Sequence, residues 1–296
     1  MLAVARHGHR LADLPLGGSR RRACRGGGQT RRGRRGPLSR FRAGSDIARI
    51  NSAAGRPVTV DPRTIDLVEA ALAWSRDTNG VFNPLVGAVL EDWGYASRVA
   101  SPAFGGPQPV RAEPGAVRGS VSVDRVRRTV RMSGGVRLDL GGIGKSWIAA
   151  RVARLLRGRS SDGSVLVDAG GDLVAVRGAH RVAVDDSSQR EAPIGYLTVP
   201  EGWGIATSGW ARRSWVREDG RAVHHLIDPA TGEPGRRAHA SVLDPDPVAA
   251  DVLATVLTLR PHDAAASRRI CRACCEGTVW ASPSWQVTPF DDPPPA

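Results

Sequence analysis

Lysine is almost absent from this chain. Of its 42 basic side chains only Lys145 is a lysine, and the rest are arginine. Cysteine is scarce too, limited to Cys24, Cys271, Cys274 and Cys275. The C-x-x-C-C cluster suggests metal or redox chemistry, but zinc needs further ligands. No histidine pair follows at a suitable spacing, so reduced, structural thiols are the simpler reading. No apolar run approaches the ~18 residues of a membrane span. No apolar core of about seven residues backs the N-terminal arginines, so no secretory signal is expected. The expected location is cytoplasmic or membrane-peripheral. Regular βα alternation and internal repeats are both missing, which argues against a doubly wound sheet or a solenoid.

What is abundant is positive charge, and it is unevenly spread. Residues 1–40 hold eleven arginines and one acid, Asp13, so they carry +10 of the net +13. The other 256 residues are close to balanced. Segments such as Arg20-Arg21-Arg22 have too little apolar content to order themselves. The tail reads either as an arm for RNA or lipid headgroups or as a segment without structure. No aromatic residue interleaves with its arginines, so bases would find no stacking platform. The expected division is a basic tail over 1–38 and one α+β domain over 39–296, divergent after about 260.

The chain is organised around Leu138-Asp139-Leu140-Gly141-Gly142-Ile143-Gly144-Lys145 and the segment 146–157 after it. Val136, Leu138 and Leu140 alternate with Arg137 and Asp139, the period of a half-buried strand. Gly141, Gly142 and Gly144 offer positive φ and close backbone approach. Ile148, Val152, Leu155 and Leu156 recur at helical spacing and predict the buried face of a helix. A glycine turn that opens a helix suits a phosphate, and Lys145 in the first turn places an ammonium beside it. The pattern is neither G-x-G-x-x-G nor a Walker loop.

Before this turn, Ser45 predicts the cap of a short helix, and Asp61-Pro62 the start of a longer one that ends at Asn79-Gly80. Residues 97–120, rich in Pro, Gly and Ser, read as a loop. Strands are predicted over 121–130 and 136–140, paired around Ser133-Gly134-Gly135. Others are predicted over 165–168, 173–176, 181–184, 196–199 and 204–208, and near 215–217 and 224–227. A last helix is expected over 247–259.

Four pieces stand out as site material. They are Asp139 with Lys145, the loop Gly80-Val81-Phe82-Asn83-Pro84, the run from His224 to Gly232, and Ala250–Thr255. In the last, Asp251 and Thr255 stand at i,i+4 on one helical face, so a carboxylate and a hydroxyl could share a hard cation.

Together with Phe41-Arg42-x-x-Ser45-Asp46-x-x-x-x-Asn51, Asp92-Trp93-Gly94, Asp168-Ala169-Gly170-Gly171-Asp172 and Ala206-Thr207-Ser208-Gly209, these motifs resemble the FAD:protein FMN transferases, the ApbE-like flavin transferases. The resemblance runs from about Phe41 to Leu259. It implies a mixed-sheet α+β fold with FAD in a cleft between two lobes and Mg²⁺ at the diphosphate. It implies transfer of FMN from FAD to a Thr or Ser hydroxyl of an acceptor flavoprotein, in a segment such as D-x-x-[ST]-G-A-[ST], with release of AMP. By motif, Phe41, Val81, Phe82, Asn83, Asp139, Lys145 and Ile227 would contact FAD. The carbonyl of Gly142, with Asp251 and Thr255, would hold the metal. A magnesium ion neutralises charge that builds on the leaving AMP. With Asp251 occupied by metal, His225 is the candidate base for the acceptor hydroxyl.

The chain departs from the family pattern in places. The usual opening strand is missing, Asn83 and Gly144 replace a common Asp and Ala, and Ala254 stands where some members have a further carboxylate. Two other readings are a weakly catalytic FAD-binding protein or FAD pyrophosphatase of the same family, and a basic nucleic-acid-binding protein, the latter on the tail alone.

Overall fold

The computed structural model describes residues 3–6, 38–40, 42, 44–95, 115–133, 135–158, 163–184, 195–260, 279–281 and 286–288. In chain order the elements are β1 (Ala3–Arg6), α1 (Asp46–Ser52), β2 (Val58–Thr59), α2 (Pro62–Asp77), α3 (Gly87–Asp92), β3 (Val121–Asp124) and β4 (Thr129–Met132). Then come α4 (Gly144–Arg157), β5 (Val165–Asp168), β6 (Leu173–Arg177), β7 (His180–Val184), β8 (Gly195–Val199) and β9 (Gly204–Gly209). The last are β10 (Ser214–Val216), β11 (Ala222–His224), β12 (His239–Asp244), α5 (Pro247–Leu259), β13 (Val279–Ala281) and β14 (Gln286–Thr288). Phe41, the four cysteines and most of the stretch 97–120 lie outside the described residues.

The chain divides into two compact units. One holds Lys145–Gly209 and Ala238–Ala296, with the N-terminal residues to Gln29. The other holds Thr30–Gly144 and Trp210–Arg237.

The first unit is built on a seven-stranded sheet in the order β1-β5-β6-β9-β12-β13-β14, whose paired neighbours are all antiparallel. Strand β5 is apolar without alternation because both of its faces are covered. Val165 and Val167 pack with Ala149 and Ala153 of α4, while Leu166 packs with Ile205, Leu243 and the β7–β8 ribbon. This changes the reading of α4. Its buried positions are Ser146, Ala149 and Ala153, whereas Ile148 and Leu155 are exposed. Small side chains let the helix axis come close to the sheet, and that wins over a stripe of larger residues.

Helix α5 is capped by Asp246, which accepts from the Val248 N–H at 2.9 Å, and Pro247 fits the first turn. It is buried from Val248 to Leu259, as befits a core helix packed on β9 and β12. Strand β12 has no counterpart among the predicted strands. All six of its residues are buried, so it carries no alternation to read.

Within the stretch 1–38, Ala3–Arg6 pair antiparallel with β5, so the expectation of an unstructured tail does not hold for these four residues. The rest of that stretch up to residue 37 lies outside the described residues.

In the second unit, α1 and α2 form as expected. Ser45 accepts from the Ala48 N–H and Asp61 from the Arg63 N–H. Asn79 and Gly80 take left-handed φ of 50° and 79° just past the end of α2. The predicted pairing of 121–130 with 136–140 is not formed. Instead β3 and β4 make a hairpin with each other, and β4 also pairs with β2. The hairpin turns at Asp124, whose carboxylate accepts from the Arg127 N–H at 2.8 Å, and at Arg128 with φ 55°.

The segment 136–140 is extended but joins no sheet. On one side the amide of Asn51 does the work of a neighbouring strand. Its Oδ1 accepts from the Leu138 N–H at 2.7 Å and its Nδ2 donates to the Leu138 carbonyl at 3.0 Å. On the other side Gly87 N–H donates to the Arg137 carbonyl and Asp139 N–H to the Pro84 carbonyl. Strand β11 stops at His224, and Ile227, placed in a strand by the sequence pattern, makes only an isolated bridge with Pro234.

Candidate functional site

The glycine turn is shaped by Asp139. Its Oδ1 accepts from the Gly141 N–H at 2.6 Å, and its Oδ2 lies 2.6 Å from the Nε of Arg40. None of Gly141, Gly142 and Gly144 has positive φ, contrary to the expectation. What Gly141 supplies is space, since a Cβ there would sit 2.8 Å from Asp139 Oδ1. With φ on the helical side, the chain runs from the turn into α4, and the Gly144 N–H already donates to the Leu140 carbonyl at 2.8 Å.

The 2.8 Å bond from Asp139 N–H to the Pro84 carbonyl fixes the turn against the Gly80–Pro84 loop. That loop is braced in turn. Thr78 Oγ1 accepts from the Phe82 N–H at 3.1 Å, and Asn83 Oδ1 accepts from the Leu85 N–H at 2.9 Å. Phe82 is 4% exposed, so the ring itself is mostly packed inside the unit, while Val81 and Asn83 are half-buried.

Ile227 lies in a core cluster with Val89, Leu90, Trp93, Tyr95, Trp215 and Val223. The Tyr95 and Trp215 rings stack with centroids 5.3 Å apart, and the His225 ring stands 6.4 Å from that of Tyr95. The guanidinium of Arg40 lies 4.9 Å above the other partner of this stack, Tyr95. Trp93 anchors the neighbouring loop by donating from Nε1 to the Gly232 carbonyl at 2.7 Å. The second unit thus carries Asp139, Val81, Phe82, Asn83, His225 and Ile227, together with Gly142.

The first unit carries Lys145, Asp251 and Thr255. Lys145 forms an ion pair with Asp172, the last residue of the turn that follows β5. Asp172 is 3% exposed, so this is a largely buried carboxylate held by the chain's one ammonium. Asp251 and Thr255 are 4% and 9% exposed on α5, and Thr255 Oγ1 lies 3.0 Å from Ser208 Oγ on β9. A carboxylate and two hydroxyls are hard oxygen donors, the set that Mg²⁺ accepts when substrate phosphates complete its shell. Among the described residues no group of three His, Cys, Asp or Glu could hold a metal. The donors at Asp251, Thr255 and Ser208 are oxygens alone, which fits magnesium.

Three polar residues in these networks were not singled out by the sequence. Arg40 was hidden among the arginines of the tail, Asp172 read as an ordinary turn residue, and Ser208 was noted only within its motif. Each has a signal in hindsight, because each adjoins a motif residue that needs a partner.

Comparisons with known proteins bear on the family and the fold. A sequence profile of the ApbE family matches residues 35–271. The FAD:protein FMN transferase of Treponema pallidum (strain Nichols) is 32% identical over 250 residues, which are 74% of this chain and 66% of that protein. That of Klebsiella pneumoniae (strain 342) is 31% identical over 224 residues, 73% of this chain and 68% of that one. The chain therefore spans about two thirds of the length of these relatives, and slightly less than that for the first.

Among solved structures, the ApbE protein of Thermotoga maritima superposes with a TM-score of 0.69 at 25% identity, covering 85% of this chain and 83% of that one. The apo flavinyl transferase ApbE of Pseudomonas stutzeri gives 0.63 at 24% identity, covering 83% and 78%, and supports the fold alone. The α+β fold is that of ApbE, and on the extent of the profile match and the identity to these relatives, the chain belongs to the ApbE family.

Proposed function

We propose that this chain transfers FMN from FAD to a Thr or Ser hydroxyl of an acceptor flavoprotein and releases AMP. The observation that carries the reading is the 2.8 Å bond from Asp139 N–H to the Pro84 carbonyl. It joins two motif loops far apart in sequence into one wall, which is what a flat ring attached to a diphosphate requires. On this reading Val81, Phe82, Asn83 and Ile227 frame the flavin, and Phe41 belongs to the same set by resemblance. Lys145 stands at the start of α4, where helix N–H groups and an ammonium favour phosphate.

Asp251 and Thr255 are the proposed magnesium ligands, with Ser208 beside Thr255, and the Gly142 carbonyl is a further donor by resemblance. When bound, the metal would neutralise charge on the diphosphate. The acceptor oxygen forms a bond to the phosphorus of the FMN half, the P–O–P bridge breaks, and AMP leaves with the bridging oxygen. His225 is the proposed acceptor of the hydroxyl proton.

The test is incubation of the whole chain with FAD, Mg²⁺ and an acceptor carrying a D-x-x-[ST]-G-A-[ST] segment, read by mass spectrometry. The expected result is an acceptor heavier by one FMN, with AMP in solution. Asp251→Ala should lower transfer by orders of magnitude, with a smaller loss of FAD binding. Free FMN and AMP with an unchanged acceptor would show hydrolysis instead, and equal rates for variant and parent across a Mg²⁺ titration would remove Asp251 from the metal.

A further inference from the structure

The loop that carries His225 and Ile227 is held by an imidazole where two chain segments would otherwise pair directly. Past β11 the chain turns and runs back, with Ile227 opposite Pro234 in an antiparallel bridge. That bridge is flanked by bonds from Asp228 N–H to the Glu233 carbonyl and from Gly235 N–H to the Leu226 carbonyl, each 2.8 Å. Leu226 and Gly235 are therefore placed as a pair that exchanges two backbone bonds. Only one of the two is direct. The Leu226 N–H donates at 3.3 Å to Nδ1 of His224, and Nε2 of the same ring lies 2.8 Å from the Gly235 carbonyl. The His224 ring, in a residue 3% exposed, thus stands in the ladder in place of the second bond.

These partners fix the state of the ring. A backbone N–H can only donate and a carbonyl can only accept, so Nδ1 is bare and Nε2 carries the proton. His224 is neutral, in one tautomer. The same bonds bear on its neighbour, because the peptide groups on both sides of the His225 Cα are held. The His225 N–H donates to the Arg213 carbonyl at 3.2 Å, and the next N–H, that of Leu226, is the one His224 accepts. With both planes pinned, the direction of the His225 Cα–Cβ bond is set. Ile227 is secured differently, by burial at 3% exposure among Trp93, Tyr95 and Trp215.

We propose that His224 is a positioning residue for His225: its neutral ring spans the gap between Leu226 and Gly235 and so aims the neighbouring imidazole. The inference rests on the flavin-transferase reading, in which His225 accepts the proton of the acceptor hydroxyl. His224 takes no proton from substrate and acts through the backbone alone.

The test compares His224→Ala, His224→Asn and His224→Gln, each alone and combined with His225→Ala. Transfer rate at saturating FAD and Mg²⁺, FAD affinity by flavin fluorescence, and melting temperature are measured for each. His224→Ala should lower the saturated rate by about tenfold or more, the scale on which a reacting group loses its alignment. FAD affinity should stay within about threefold, since packing holds Ile227, so the loss falls on kcat. His224→Asn keeps an acceptor where Nδ1 stood and should recover much of the rate. His224→Gln keeps only a donor where Nε2 stood and should recover less. In the His225→Ala background none of the three should cost further rate, because nothing is left to aim. In nitrogen-15 NMR, the ring signals that His224→Asn removes should be those of a neutral imidazole protonated on Nε2.

Unchanged saturated rates with lower melting temperatures would leave His224 a structural residue and overturn the inference. A loss confined to FAD affinity, or one that persists in full beside His225→Ala, would do the same. So would a His224 ring that is charged or protonated on Nδ1 at neutral pH. Where His224→Ala does not fold, the other two variants decide, and a His224→Gln rate equal to or above that of His224→Asn counts against the aim of the Leu226 peptide. A wild-type rate in His225→Ala alone would remove the residue to be aimed. A wild-type chain that transfers no FMN sinks the functional reading itself, an outcome distinct from all of these.

Discussion

Asp139-Leu140-Gly141-Gly142 and Asp168-Ala169-Gly170-Gly171 share one residue pattern and carry the chain in different directions. In both, the aspartate Oδ1 accepts a backbone N–H two residues on. The difference lies in φ. Gly170 and Gly171 take 78° and 102°, so the chain reverses and Leu173 pairs with Asp168 in the next strand. Gly141 and Gly142 stay at negative φ, and the chain winds into α4. The second aspartate oxygen differs as well, since that of Asp139 is held by Arg40. A short glycine motif therefore specifies a hydrogen bond but leaves the exit direction to what surrounds it.

The largest test of this comparison is Lys145→Met, because Lys145 follows the first turn and pairs with Asp172 at the end of the second. The methionine keeps the stem's packing and removes the ammonium beside a buried carboxylate. The fold should persist with a loss of about 2 kcal/mol, a value reduced because Lys145 is a third exposed. Transfer should fall by about a hundredfold if the ammonium also serves the diphosphate. Wild-type FAD affinity and rate in this variant would confine Lys145 to the ion pair. Lys145→Arg should recover only part.

Glycine replacements separate the two turns next. Gly141→Ala drives a Cβ to 2.8 Å from Asp139 Oδ1, for an expected loss of about 1–3 kcal/mol. Gly170→Ala meets nothing within 4 Å but must hold positive φ, for a loss of about 1 kcal/mol. Gly170→Asn should be milder, because asparagine tolerates that region, and Gly141→Asn should be no better than Gly141→Ala. Gly144→Ala, with only Leu140 Cβ at 4.0 Å, should be neutral or gain up to about 1 kcal/mol as a helical residue. Denaturant unfolding of the five variants gives the order, and a Gly170→Ala loss larger than that of Gly141→Ala would reverse it.

The smallest effect concerns a third aspartate-led turn, that of the β3–β4 hairpin. The Arg127 N–H, and then its guanidinium, hold the Asp124 carboxyl below its ordinary value. A lowered folded value means the contribution is present above the ordinary carboxylate range and is lost as pH falls through the folded one. Hydrogen exchange at Arg127 should therefore quicken on acidification below about pH 4, beyond its intrinsic pH dependence. Asp124→Asn should remove that dependence. Exchange that follows the intrinsic dependence alone would leave Asp124 without a part in the turn.

How much of this was legible depended on where the partners of each residue lay. Caps are local, so Ser45, Asp61 and the limits of α5 could be read directly. Strand β12 could not, because a strand buried on both faces has no period. The segment 136–140 alternates correctly, yet its neighbour is the side chain of Asn51, 87 residues away from Leu138. No propensity encodes that. The proposed site divides in the same way. Asp139, Lys145, Asp251 and Thr255 announced themselves by motif. Arg40 and Asp172 became visible only once the fold gave them a charge to answer.

The single lysine has a practical consequence. Amine-directed reagents have one side-chain target in this chain, Lys145, besides the terminal α-amino group. The rate at which a mild acylating reagent labels that amine reports whether its pair with Asp172 is closed, open or covered. Labelling followed with and without FAD turns the whole chain into a one-residue footprint of its central turn, with no engineered probe.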